Sequence, residues 1–192
     1  MLPAEMPDQQ HDDFRRIRSP FRGALVRLRA FEEDDIRAVN EMVWDPEVSQ
    51  HLAIAWPQPV AGTRQFWEGA RKVEDGLVLA IETIRGELVG LCGLESISTR
   101  NHSAALGIWI GKPFWDRGFG TDAVRTLCRF GFGEMHLNRI ALTVYATNPR
   151  GRRAYEKVGF KEEGRWRSAQ FVGGQLVDVI EMGLLAGDLL EA

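Results

Sequence analysis

Two stretches of this chain combine residue types and spacing that could do chemistry. In the first, Trp115-Asp116-Arg117-Gly118-Phe119-Gly120-Thr121 joins an apolar run, Leu106-Gly107-Ile108-Trp109-Ile110, to a helical one. Strand, glycine turn and helix amino terminus together suit a phosphate. Glycines let a ligand oxygen approach the backbone, and the first helical N–H groups lack partners inside the helix. The helix dipole adds partial positive charge, and Arg117 and Lys112 offer whole charges. Two familiar phosphate motifs do not fit. Gly111-Lys112 is followed by Pro113 rather than Ser or Thr, and no third glycine stands three residues after Gly120. A purely structural turn is the competing reading.

The second stretch runs Asn148-Pro149-Arg150-Gly151-Arg152-Arg153-Ala154-Tyr155-Glu156-Lys157-Val158-Gly159-Phe160. Asn caps helices, Pro suits the first helical position and Gly ends them. On this local account Tyr155 and Val158, three apart, are core contacts.

The elements around these stretches follow from periodicity. Ala24 to Arg29 alternates like a half-buried strand, and Glu32-Glu33-Asp34-Asp35 suits the start of a helix reaching about Trp44. A second helix is expected over Ala61 to Val73, with turns at Asp45-Pro46 and Trp56-Pro57-Gln58-Pro59. Leu77 to Ile84 and Glu87 to Ile97 read as strands of a hairpin turning at Arg85-Gly86, and Ala104 to Ile110 as another strand. From Thr121 to Glu134 the period changes, with Val124, Leu127, Cys128 and Gly131 on one helix face. Arg139 to Tyr145 is a strand, and Phe160 to Arg167 and Leu176 to Leu185 close the chain around Gly173-Gly174. The order implies an α/β fold: a mixed, largely antiparallel sheet flanked by helices.

With 192 residues and net charge −3, the chain fits one domain from residue 20 to 192, behind a tail, residues 1–19, that reads as mobile. The mild acidity argues against nucleic acid as partner. No run approaches the ~20 apolar residues of a membrane helix, and Met1 to Asp13 has no secretory apolar core. Cys92 and Cys128 stand alone in apolar surroundings, as expected of reduced thiols in a cytoplasmic protein. The histidines His11, His51, His102 and His136 show no metal-ligand spacing, so no metal is expected.

Taken in order, Leu106 to Ile110, Trp115 to Ala123, His136-Leu137-Asn138-Arg139-Ile140, Asn148 and Tyr155 to Phe160 resemble the GNAT superfamily of N-acetyltransferases. The branch is the one similar to the ribosomal-protein alanine acetyltransferases (RimJ/RimL-like). Leu28-Arg29, Trp44-Asp45-Pro46-Glu47-Val48, Glu163-Gly164 and Gly174 to Asp178 add support, so the similarity runs from Leu25 to Leu185. The resemblance implies two adjacent parallel strands that splay apart around acetyl-coenzyme A as cosubstrate. Ile108, Trp109 and Ile110 would meet the pantetheine arm through backbone groups. Asp116, Arg117, Gly118, Phe119, Gly120 and Thr121 would wrap the pyrophosphate. Asn148 would bond the cofactor near the thioester, and Tyr155 would face the sulfur. Arg150 and Arg152 reach the outer phosphate or are solvated helix-face charges.

The reaction implied is attack of a primary amine on the thioester through a tetrahedral intermediate. It needs a neutral nucleophile, a held oxyanion and a proton for the departing thiolate. A backbone N–H near Trp109 would serve the oxyanion and Tyr155 the thiolate. Many relatives carry a glutamate where this chain has Ala105. Glu82, Glu95, His102 or a bound water are the alternatives for a base, and each side chain is as readily a surface or paired charge. Trp44, Trp56, Phe66 and Trp67 are core or dimer packing, or the wall of an acceptor pocket. The acceptor is an amine, either a protein amino terminus or a small molecule such as an antibiotic or polyamine. A non-catalytic acyl-coenzyme A sensor is the alternative that Ala105 suggests, and a homodimer is left open.

Overall fold

The computed structural model describes residues 19–52, 57–70 and 75–191. Trp56, Val73 and residues 1–18 of the expected tail lie outside the described residues. A seven-stranded sheet has the order β1-β2-β3-β4-β5-β7-β6. The strands are β1 (Val26–Ala30), β2 (Leu77–Thr83), β3 (Leu88–Ser98), β4 (Ser103–Ile110), β5 (Arg139–Tyr145), β6 (Lys161–Val172) and β7 (Gln175–Leu185). Neighbours are antiparallel except β4 and β5, which are parallel.

That parallel pair is short. Ser103, Ala104 and Ala105 align with Arg139, Ile140 and Ala141, and there the pairing stops although both strands continue. On its other edge β4 stays paired with β3 out to Gly90↔Ile110. The sheet therefore opens into a wedge between β4 and β5, as expected from the resemblance.

Two apolar clusters flank the sheet. Helix α4 (Phe119–Gly133) buries Ala123, Val124, Leu127 and Cys128 against Leu94, Leu106, Ile140 and Leu142. Gly131 has no side chain because a Cβ there would come within 3.1 Å of Ile140 and 3.2 Å of Leu137. On the opposite face, α1 (Ile36–Val43) and α3 (Val60–Ala70) cover Ala80 and Leu91 through Ile36, Val39 and Trp67. The Trp67 indole N–H donates to the Phe31 carbonyl at 2.8 Å. Phe66 is 51% exposed, whereas the Trp44 indole nitrogen is buried without a partner.

Several boundaries differ from the sequence expectation. The first helix does not run unbroken from Glu32 to Trp44: a 3-10 turn, Glu33–Asp35, precedes α1, and Trp44 terminates it. Asp45-Pro46 starts the short helix α2 (Pro46–Ser49), because the Asp45 carboxylate accepts the Glu47 N–H at 2.8 Å as a cap. The β2–β3 connection takes four residues rather than two, closed by Thr83 N–H to the Glu87 carbonyl at 2.8 Å, with Gly86 at φ +90. Strand β6 extends five residues past Arg167, because the β7 ladder resumes at Gln170 after an irregularity. Among the described residues no helix is long and apolar enough to cross a membrane.

Candidate active site

The wedge between β4 and β5 is a cavity of about 530 Å³. One wall is Leu106 to Ile110, whose backbone groups on the β5 side have lost their strand partner. Thr143, Val144 and Tyr145 form the other, and the turn before α4 closes one end.

At that turn Asp116 (φ +57) and Gly118 (φ +83) are both left-handed, and Gly118, Gly120 and Thr121 at the start of α4 line the cavity. No side chain caps this helix, so its first-turn N–H groups are left for a ligand. Gly120 meets only Ile110 at ordinary contact distance, and the space its missing side chain leaves belongs to the cavity. Asp122, in the same turn, points the other way. Its buried carboxylate accepts the backbone N–H groups of Ala24, Leu25 and Val26 at 3.2, 2.7 and 3.0 Å and anchors β1 to α4. That bond requires Gly23, where a Cβ would collide with the carboxylate.

The residues expected to wrap a pyrophosphate divide. Asp116, Gly118, Gly120 and Thr121 line the cavity. Phe119 is buried in the core, and the Arg117 guanidinium lies 4.9 Å from the centre of the Phe119 ring. Lys112 pairs with Glu47, and Arg152 with Glu156 at 2.8 Å and Glu162 at 3.2 Å, so neither charge is presented to the cavity. Positive charge enters instead from α5 (Pro149–Glu156) and its end through Arg150, Arg153 and Lys157. Their spacing, i, i+3 and i+7, is one helix face and was readable in the sequence. The Arg150 guanidinium lies 3.3 Å from the Trp115 ring centre, a cation–π contact of roughly 0.5–2 kcal/mol. Burial lowers the Arg150 pKa and Asp116 partly opposes it.

Asn148 is both a helix cap and a cavity residue. Its side-chain oxygen accepts the Gly151 N–H at 2.9 Å, capping α5, while the residue lines the cavity. Ile108, Trp109, Ile110 and Tyr155 line it too. Burial pushes the Tyr155 phenol up to about 12, and its ring packs 6.0 Å from that of Phe160. Two further polar groups were not read from the sequence as part of this site. The Tyr145 hydroxyl and the His51 Nδ1 are buried at the cavity without a hydrogen-bond partner. Burial, then the charge of Arg150, lowers the His51 pKa.

Of the groups considered as a base, Glu82 is held by Arg27 and by Arg29 at 3.1 Å, away from the cavity. His102 lies at the β3–β4 turn, its Nδ1 3.1 Å from the His136 carbonyl oxygen, also outside the cavity. Glu95 lines the cavity.

The comparisons with known proteins agree with the fold. The model of the acetyltransferase (GNAT) domain matches residues 26–161. An N-acetyltransferase, p20, of Bacillus licheniformis is 28% identical over 169 residues, 83% of this chain and 92% of that one. A candidate ribosomal N-acetyltransferase of Bacillus subtilis (strain 168), YdaF, is 36% identical over 100 residues, which are 52% of this chain and 55% of its own. The crystal structure of spermidine N-acetyltransferase from Vibrio cholerae, in complex with CoA and spermine, has the same fold. Its TM-score is 0.79 at 23% identity, over 85% of this chain and 96% of that one. A family model spanning most of the chain, on a sheet that splays at β4 and β5, places this protein in the GNAT acetyltransferase family.

Proposed function

We propose that the protein transfers an acetyl group from acetyl-coenzyme A to a primary amine, either a protein amino terminus or a small molecule. The observation that carries this reading is the wedge itself. A strand with unpaired backbone groups, an uncapped helix amino terminus and three cationic side chains converge on one cavity. Ile108, Trp109 and Ile110 would hold the pantetheine arm, the turn from Asp116 to Thr121 the pyrophosphate, and Arg150, Arg153 and Lys157 the phosphate charge. The cosubstrate supplies an activated thioester.

The chain's own groups then divide the work. A backbone N–H near Trp109 stabilises the oxyanion that develops on attack. Asn148 orients the acyl end, and Tyr155 gives its hydroxyl proton to the departing thiolate. With its pKa raised to about 12, Tyr155 is fully protonated at neutral pH. Donation to a thiolate whose thiol has a reference pKa near 8.5 would be uphill by on the order of 5 kcal/mol in water. The same burial raises the proton affinity of the thiolate, which narrows the gap.

Calorimetric titration with acetyl-coenzyme A tests the reading. Saturable binding is expected, and a hundredfold excess over Kd should stabilise the fold by about 2.7 kcal/mol. Absence of saturable heat at millimolar concentration would overturn it. Turnover is then read as thiol release against amino-terminal peptides, polyamines and aminoglycosides. Cys92 and Cys128 are buried, and burial raises both thiol pKa values, so the protein contributes little background.

A further inference from the structure

We infer that Glu95 takes the proton from the acceptor's ammonium group; the inference rests on the acetyl-transfer reading above. An alkylamine with a pKa near 10.4 is neutral in only about one molecule in 10³ to 10⁴ at pH 7, so attack needs a proton acceptor near the thioester. Among the described residues, the carboxylates lining the cavity are Glu95 and Asp116. Asp116 belongs to the turn before α4, where it faces the Arg150 charge. His51 lies in the field of Arg150, which stacks on Trp115 at the end of the cavity closed by the turn.

Glu95 differs from both. It stands directly across the β3–β4 ladder from Ala105, the last residue of β4 paired with β5 before the strands part. Opposed residues in an antiparallel pair share a face of the sheet. Leu94 and Leu106 are in the core, so Glu95 and Ala105 lie on the other face, at the apex of the wedge. The small Ala105 side chain leaves room there. Immediately after Glu95 the ladder shifts register as far as Ser98↔Ser103, and Ser96 is left-handed at φ +51. Such bulges re-aim neighbouring side chains. No described group forms an ion pair or hydrogen bond with the Glu95 carboxylate, whereas Glu82 and Glu163 are both held by arginines.

Glu95 accepts one proton from the ammonium, and the neutral nitrogen forms the C–N bond to the acyl carbon. The C–S bond breaks on collapse, Tyr155 protonates the sulfur, and the second proton leaving nitrogen restores Tyr155. Glu95 returns its proton to solvent.

The test uses the full chain, saturating acetyl-coenzyme A and, from the amine panel, the alkylamine with a pKa of about 10 that is turned over fastest. Glu95→Gln should lower kcat by at least about 10² at pH 7 and leave the acetyl-coenzyme A Kd within about twofold. Without its own proton acceptor, the variant's rate should climb close to tenfold per pH unit from 7 to 9, following the neutral amine, while the parent rises less steeply. Adding Ala105→Glu to Glu95→Gln, which presents a carboxylate from the opposite strand, should recover at least tenfold. Parental kcat in Glu95→Gln, or a loss with the parent's pH slope and no recovery by Ala105→Glu, would overturn the assignment. If the chain binds acetyl-coenzyme A yet transfers to no amine, the acetyl-transfer reading fails, and this assignment with it.

Discussion

Tyr155 and Tyr145 are phenols of one cavity with different expected responses to losing a hydroxyl. Tyr155→Phe keeps the ring that packs near Phe160, so stability and cofactor affinity should change little. If the hydroxyl protonates the thiolate, kcat should fall by roughly 10²–10³ in steady-state assays with chemistry limiting. A parental rate would return Tyr155 to a packing role. At Tyr145 the hydroxyl is buried without a partner, a state that costs about 1–3 kcal/mol of desolvation. Tyr145→Phe should therefore raise the melting temperature of the free protein, by about 2–4 °C per kcal/mol recovered. A lower melting temperature would show that the hydroxyl is bonded in solution.

The turn and helix that carry the phosphate site allow a sharper separation of folding from binding. At Gly120 an added Cβ makes only ordinary contact with Ile110, and its branches would enter the cavity. Gly120→Val should cost no more than a few degrees of melting temperature and at least about tenfold in acetyl-coenzyme A affinity. Gly118→Val is the contrasting variant. Its φ of +83 disfavours any branched residue, so folding should suffer by on the order of 1–3 kcal/mol. Equal affinity in Gly120→Val and the parent would make the turn an ordinary one. These elements were the most readable, because a helix face at i, i+3, i+4 and i+7 and an Asn-Pro cap are written within one or two turns of chain. The α1 region was less so: its acid cluster forms a separate 3-10 turn, because Asp35 bonds the Glu32 N–H at 2.9 Å and Arg29 at 2.7 Å.

Across the whole molecule, a network that joins β1, β2 and the turn before α1 should make stability depend on pH. Glu82 lies below the usual carboxylate range because Arg27 hydrogen-bonds it, against the cost of burial, with Arg29 adding to the effect. Burial would raise Asp35, but hydrogen bonds from Arg29 and the Glu32 backbone outweigh it, and its pKa is also lowered. Carboxylates with lowered folded-state pKa values bind fewer protons than the unfolded chain. Their contribution is therefore complete above about pH 4.5 and is lost as pH falls through the folded values. Thermal melts should be level in this respect from pH 7 to about 5 and decline below 4. Glu82→Gln should melt lower at pH 7 and decline less steeply in acid. An unchanged acid slope would show that other carboxylates govern it.

The sequence by itself determined the parts that local hydrogen bonds or the periodicity of neighbouring side chains specify. These are the glycine turn, the amphipathic face of α4, the Asn148 cap and the strand-forming runs. The order of these parts carried the resemblance that the sheet and the family match then supported. Only the tertiary structure decided what depends on register between distant segments. It set Glu95 opposite Ala105, drew Tyr145 and His51 to the cavity, and turned Asp122 away from it to hold β1. A one-residue slip in strand pairing would reverse the faces of Glu95 and Tyr145, and nothing local to Glu95 specifies that register. Ladder pairing and the packing of α4 and α5 against the sheet supply it, so the apex of the wedge was legible only once the strands were in place.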